Sequence, residues 1–449
     1  MPTYCEGRSM TTSQEHFDCP TMGDLNEANA RLVPIILGSD ILGYSYVRAF
    51  DETYNLKNKP IVLATQDVKY MTSSKLCECR IVDGVDNEDV LCEQLKLLGE
   101  ELAAKNLRGL LLGSGDWYAR TLSKHKKELQ QWHYVPYIDF ELLDFLTKKD
   151  NFYALCDEYG LDHPKTLALE CAADAEVWDG DMHGIEFPCI AKPSNSAAWH
   201  YAEFEGKQKI HEPQSAEELN WLYTTLKDKT SYDRLLLVQD KIPGGDNNLL
   251  SLTAYIGKGG TPVVNVLGQV VLQDHTPLAL GNPVCIVSAL HSPALDGRQD
   301  ELRELTSRAI KMLADRGYTG YANFDIMYDR RDGSFNFFEV NTRPGRNTFY
   351  VTLAATPFIE PIVREVVMGR AIRDPYGADE FCYTCIPSAV IRRHVSDEKL
   401  REYVLGCYRN RLAQNPLFYR GDTPEHDFWS KASTYNHIRK FKRWMPAED

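Results

Sequence analysis

Residues 335–347 read FNFFEVNTRPGRN, placing an acid, an amide and two arginines directly behind a run of three phenylalanines. Phe335, Phe337 and Val340 fit one face of a β-strand, while Asn336, Phe338 and Glu339 point elsewhere or break the register. Pro344-Gly345 then marks a turn. Taken alone, this is an edge strand with a solvated acidic end. The preceding stretch, GYTGYANFDIMYDRRDGSF (317–335), changes that reading. Asp325 lies inside the apolar run Phe324, Ile326 and Met327, and RRDG has the composition of a hairpin turn. Two adjacent antiparallel strands then present Asp325, Glu339 and Asn341 side by side. Clustered oxygen ligands suit Mg²⁺, which takes one or two carboxylates together with substrate phosphates, better than zinc, which prefers nitrogen and sulfur.

Composition limits what this hairpin can belong to. At 449 residues, 43% of them hydrophobic, the chain should hold two to four structural units with their own cores. No apolar run approaches the roughly 20 residues needed to cross a bilayer, and the first thirty residues have neither a basic start nor an apolar core segment. A cytoplasmic protein is expected. Its 12 cysteines have no framework spacing, which suggests reduced thiols; the CxxC at Cys382 and Cys385 lacks a second pair, and Cys77 and Cys79 lack a nearby histidine, so no zinc ribbon is expected. A net charge of −14 argues against nucleic-acid binding. Residues 391–449 run against that charge, with twelve Lys/Arg to eight Asp/Glu interleaved with aromatics. They read either as a solvated helical face or as a surface for an anionic small molecule.

Along the chain, residues 1–30 read as a flexible polar tail. RLVPIILGSDILGYSYVRAFDETY (31–54) gives a buried strand, a glycine turn and an amphipathic helix. Strands at PIVLAT and Leu110–Leu112 follow, with a charged helix at NEDVLCEQLKLLGEELAAK (87–105) before the latter. This is an open parallel β/α sheet. Gly38 and Gly43 do not make a dinucleotide fingerprint, because the GxGxxG spacing is absent. From residue 141 a helix runs to Gly160, with Pro164 beyond it. FPCIAKPSNSAAW (187–199) carries Lys192 at the end of a short buried strand, a costly position unless the ammonium meets an anion or reaches solvent. RLLLVQDKIPGGDNN (234–248) is an apolar strand that leaves its sheet through Gln239, Asp240 and a Pro-Gly-Gly turn, a composition that permits an interdomain hinge.

In order and spacing, residues 149–343 resemble the ATP-grasp superfamily. Lys149 lies at a helix start, Lys192 in IAKPSN, the hinge in QDKIPGGD and the metal acids close on FEVNTR. The whole chain, from PIILGSD through NTRPGRN to the basic aromatic C-terminal stretch, resembles the carboxylate–amine ligases that include the D-aspartate ligases of bacterial wall assembly. Thr342 stands where proline is commoner, and Asp replaces Glu at 325 and 240, one methylene shorter. The resemblance implies an α/β ATP-grasp fold with an N-terminal open parallel β/α (pre-ATP-grasp) domain and a C-terminal α-rich extension. The expected division is a tail (1–30), a substrate-side domain (31–140), a lid subdomain (141–243), a core with the metal site (244–370) and the extension (371–449).

The resemblance also implies roles. Lys149 and Lys192 would neutralise ATP phosphates. Gln239, Asp240, Lys241 and Ile242 would hold adenine, mainly through the main chain, and Asp246 would meet the ribose. Asp325, Glu339 and Asn341 would hold two Mg²⁺, and Arg343 would act on the charge that develops during transfer. Arg346 is the candidate cation for the donor's unreacted carboxylate, with a solvated loop arginine as the other reading. The reaction implied is carboxylate phosphorylation to an acyl phosphate and capture by an amine. The implied donor is D-aspartate, and the implied acceptor is the lysine side chain of a uridine-diphosphate-linked muropeptide; a homodimer is admitted. A dipeptide ligase or carboxylase with other substrates, and a non-catalytic nucleotide-binding scaffold, remain as alternatives.

Overall fold

The computed structural model describes residues 30–445 except 55, 195–198, 200, 201, 209 and 278. The tail expected over residues 1–30 therefore lies outside the described residues, apart from residue 30.

Three sheets organise the described residues. The first is all parallel, in the order β3-β2-β1-β4-β5, from β1 (Leu32–Leu37), β2 (Ile61–Ala64), β3 (Glu78–Ile81), β4 (Arg108–Gly113) and β5 (His133–Tyr134). All six residues of β1 are buried, as a central parallel strand covered on both faces requires. Its side chains alternate: Leu32 and Ile36 join one apolar cluster, and Val33, Ile35 and Leu37 the opposite one. The helix Glu88–Ala104 covers the second face with Leu91, Leu95, Leu98 and Leu102. Its N-terminus is capped by Asn87, which accepts from the amides of Asp89 and Val90.

Gly38 and Gly43 are needed for packing. Gly38 has φ +102°, and a Cβ there would lie 2.2 Å from Ser114 Oγ; a Cβ on Gly43 would lie 2.4 Å from the Gly38 carbonyl oxygen. These glycines bring the helix Ile41–Thr53 tight against the turn after β1.

The second sheet is small and antiparallel, with β8 (Leu235–Asp240) between β6 (Thr166–Glu170) and β7 (Cys189–Pro193). The helix Ala216–Lys229 packs on it through Leu219, Leu222 and Leu226.

The third sheet has seven strands in the order β13-β12-β9-β10-β11-β14-β15. They are β9 (Leu249–Ile256), β10 (Pro262–Asp274), β11 (Asn282–Ser288), β12 (Gly320–Tyr328), β13 (Phe335–Asn341), β14 (Cys382–Thr384) and β15 (Ala413–Gln414). Two of these strands come from the segment read as an α-rich C-terminal extension, so its described residues, 371–445, also contribute strands to one edge of the large sheet. They add helices too, including Glu398–Arg409 and Pro424–Trp444. Likewise the helix Lys149–Glu158, read with the lid, packs through Phe152, Leu155 and Cys156 into the apolar cluster of the large sheet.

The hairpin β12–β13 forms as read, and it explains the odd spacing in FNFFEV. Asp325 pairs with Glu339, but Ile326 pairs with Phe337. Phe338 is thus the extra residue of a β-bulge. The bulge resets the alternation, so that Phe335, Phe337 and Val340 all enter one core although 337 and 340 are three apart.

Candidate active site

The bulge also decides which polar groups meet. Directly opposed residues of an antiparallel pair share a face, so Asp325, Glu339 and Asn341 point away from the core of Phe335, Phe337 and Val340. Asn341 Nδ2 donates to Asp325 Oδ2 at 3.2 Å. Burial and the neighbouring Glu339 raise the proton affinity of Asp325, whereas the Lys149 ammonium lowers that of Glu339. One carboxylate is compensated and the other is not. Among the described residues no group of three His, Cys, Asp or Glu side chains could hold a metal ion; this site has two carboxylates and an amide. That donor set suits a hard cation whose remaining ligands come from water and a substrate's phosphates.

Lys149, the first residue of its helix, places Nζ 2.7 Å from Glu339 Oε2. Burial disfavours its charge, but Glu339, Tyr153 and Asp325 together outweigh that, and the ammonium holds its proton more tightly than usual. Lys192, on β7, approaches from the small sheet with Nζ 5.8 Å from the centre of the Phe338 ring. Burial, reinforced by the Lys149 ammonium, pushes its pKa down to about 7. Both lysines, Asp325 and Glu339 line a cavity of about 460 Å³ between the small and large sheets, with Ile190, Ile242, Leu249 and Met327 among its apolar walls. This is the size and lining of a small-molecule site. A cavity of about 540 Å³ opens elsewhere, beside Arg31, Arg108 and Trp132. It lies at the N-terminal edge of the parallel sheet, opposite the edge where open α/β sheets bind ligands, and none of the acids or lysines above reaches it.

Gln239, Asp240, Lys241 and Ile242 line the first cavity, but their side chains are largely committed elsewhere. Gln239 Nε2 donates to Tyr153 Oη (2.9 Å) and Thr166 Oγ1 (2.8 Å). Lys241 Nζ lies 2.5 Å from Glu212. Asp240 accepts from Arg331 at 2.7 Å, and the same guanidinium pairs with Asp329. This ion pair ties the end of β8 to the β12–β13 turn. Asp246 departs from the expectation. Its carboxylate accepts from the Gln273 amide (2.8 Å) and lies 2.9 Å from His275 Nε2, and it is not among the residues lining the cavity.

The arginines form a second cluster, where the NTRPGRN loop meets the carboxyl ends of β1 and β4. Arg343 Nη2 lies 2.6 Å from Asp116 and its Nη1 donates to the Pro344 carbonyl, while its Nε is buried with no hydrogen-bond partner among the described residues. Arg346 Nε lies 3.5 Å from Asp40, the residue that caps the helix after β1. Asp40, Asp116, Arg331 and Tyr153 were not singled out in the sequence. Asp40 had a readable signal, an aspartate just before an apolar helix; the others acquire partners only through folding.

Lys192 makes a testable contribution. Above about pH 7 its ammonium loses its proton, so binding of a nucleotide that needs the charge takes up a proton. Nucleotide affinity should then fall by up to about tenfold per pH unit above neutrality. Calorimetric titration with ADP at several pH values should show this slope in the wild type and lose it in Lys192→Met; parallel profiles would remove Lys192 from the phosphates.

Solved structures share this architecture. Biotin carboxylase from Campylobacter jejuni superposes with a TM-score of 0.57 at 14% identity, covering 78% of this chain and 74% of that one. N5-carboxyaminoimidazole synthetase from Staphylococcus aureus gives 0.53 at 14%, with coverages of 78% and 81%. L-amino acid ligase from Bacillus licheniformis gives 0.51 at 13%, with coverages of 76% and 75%. The three sheets are thus an ATP-grasp fold. No family model matches the chain. It is, however, 30% identical over 434 residues to D-aspartate ligase of Enterococcus faecium (strain Aus0004), covering 94% of this chain and 98% of that protein. It is also 25% identical over 221 residues to a D-alanine–D-alanine ligase of Thermoanaerobacter sp. (strain X514), covering 47% of this chain and 55% of the relative. The chain belongs to the D-aspartate ligase family of ATP-grasp carboxylate–amine ligases.

Proposed function

We propose that the protein phosphorylates the β-carboxylate of D-aspartate with ATP and joins the resulting acyl group to the lysine side-chain amine of a peptidoglycan precursor, a uridine-diphosphate-linked muropeptide. The observation that carries this reading is the reach of the likeness to D-aspartate ligase. It covers 94% of this chain and 98% of that protein, and so reaches into both the substrate-side residues 31–140 and the segment 371–449 as well as the nucleotide site.

In this reading ATP occupies the 460 Å³ cavity, with adenine against the main chain of Asp240–Ile242. The ammonium groups of Lys149 and Lys192 draw the phosphates toward Glu339 and Asp325. These acids with Asn341 would hold Mg²⁺, two ions as the resemblance to the superfamily implies, which when bound screens the phosphate charge. A donor carboxylate oxygen attacks the γ-phosphorus and ADP leaves. The acceptor amine then adds to the acyl carbon of the acyl phosphate, loses a proton and expels inorganic phosphate. Arg343, paired with Asp116 in the neighbouring cluster and near enough to favour the charged form of both acids, would meet the charge that builds on the transferring group. Arg346 binds the donor's α-carboxylate. No protein nucleophile is required, so positioning and charge stabilisation supply the rate. No helix among the described residues is long and apolar enough to cross a membrane, and we place the reaction in the cytoplasm, where ATP and a nucleotide-linked acceptor are available.

The test is a donor panel of D- and L-amino acids against a lysine-containing muropeptide nucleotide, read by ADP release and product mass. D-Aspartate should exceed L-aspartate, hydroxylamine should trap a hydroxamate from donor and ATP without acceptor, and Arg346→Ala should raise the donor KM. Equal turnover of L-aspartate would sink the D-aspartate reading and leave the ligase one standing.

A further inference from the structure

Phe338, the bulged residue of β13, has a carbonyl held from outside the sheet. Tyr153 Oη donates to it at 3.2 Å and Lys149 Nζ at 3.4 Å. Lys149 and Tyr153 are four residues apart and so share one helix face. The Tyr153 hydroxyl also accepts from Gln239 Nε2, whose second hydrogen bond goes to Thr166 Oγ1 on β6. Gln239 is 1% and Tyr153 5% exposed, so neither exchanges these partners for water at little cost. The tyrosine ring is further fixed by stacking on His163, with centroids 4.6 Å apart and planes 9° apart.

We propose that Tyr153 is a positioning residue, whose hydroxyl holds the Phe338 carbonyl and thereby keeps Glu339 turned toward Asp325 and the metal. This rests on the metal-binding role given to Asp325 and Glu339 above. The Phe338 carbonyl belongs to the peptide plane that leads into Glu339, so fixing it fixes the direction of the Glu339 side chain. A bulge is also where a strand can slip, and a slip of one residue would carry Glu339 to the core face. The hydroxyl opposes that slip. Because its other partner lies on β8, the same bond links the strand that carries Glu339 to the small sheet that carries Lys192.

Tyr153→Phe removes the hydroxyl and keeps the ring. Binding of ADP by the full chain is measured by calorimetry with Mn²⁺ and with EDTA, and Mn²⁺ binding in the presence of ADP by electron paramagnetic resonance. Neither needs donor or acceptor. Loss of a group that orients a metal ligand costs on the order of tenfold in metal affinity. The variant should therefore bind Mn²⁺–ADP about tenfold more weakly, with unchanged ADP affinity in EDTA; its unfolding midpoint should fall, because Gln239 Nε2 and the Phe338 carbonyl each lose a buried partner, while the chain stays folded at the assay temperature. Unchanged Mn²⁺ affinity would overturn the proposal. So would an equal loss of ADP affinity with and without metal, or partial unfolding at the assay temperature, since either makes the hydroxyl merely structural. If the wild type itself bound ADP but no Mn²⁺, the metal site would fail first and this inference with it.

Discussion

Glu339→Gln should abolish ADP formation while leaving the protein folded. The substitution keeps the side chain's length and one carbonyl oxygen but removes the negative charge that faces Asp325 and Lys149. Loss of one preorganised charged group at a phosphoryl-transfer site costs about 10²–10³-fold in rate, and here the same group is also proposed to bind the metal. A fall of at least about 10³-fold in kcat/KM is therefore expected. Stability should change little. The Glu339 side chain is 46% exposed and its ion pair is with Lys149, and an ion pair with one member this exposed contributes on the order of 1 kcal/mol or less. A coupled assay for ADP, beside a thermal melt, checks both halves. Wild-type turnover in a folded variant would remove the site.

The second large effect is expected at Arg343. Its guanidinium is 13% exposed and ion-paired to Asp116, yet its Nε is a buried donor with no acceptor among the described residues, an arrangement that calls for an explanation. A transferring phosphoryl group supplies one, because charge spreads over its outer oxygens as it moves. Arg343→Met should lower kcat by about 10²–10³-fold and change the KM for ATP by far less. Arg343→Lys should recover little, since one ammonium cannot reproduce a planar fork. Asp116, 65% exposed, is left to water in these variants, so the fold should tolerate them. A raised ATP KM at unchanged kcat would assign Arg343 to ground-state binding instead.

The hairpin that decides the fold was legible because its information is local. Alternating Phe335 and Phe337, the RRDG turn and an acid inside an apolar run all lie within some twenty-five residues of one another. The same holds for β1, whose six apolar residues need no distant partner to read as a buried parallel strand. β3 was missed because an edge strand with the exposure of Glu78–Ile81 carries no apolar run to betray it. β14 and β15 were missed because strands of three and two residues are too short for any period to show.

What the sequence by itself determined is the order of chemistry along the chain: Lys149, Lys192, the strand leaving through Gln239 and Asp240, then Asp325, Glu339 and Asn341. Local propensity places each on a helix start, a strand or a hairpin, and their sum resembles one superfamily. Tertiary structure alone decided which of these groups touch. The bulge at Phe338 lies in the fit of β13 against β12, and the Phe338 carbonyl meets a tyrosine 185 residues earlier. Arg343 meets Asp116 across 227 residues of chain, and Arg331 meets Asp240 across 91. Asp246, next to the hinge in sequence, instead turns to His275. Such contacts are set by how the sheets pack, a balance of burial and chain closure over the whole molecule, and no short window of sequence contains it.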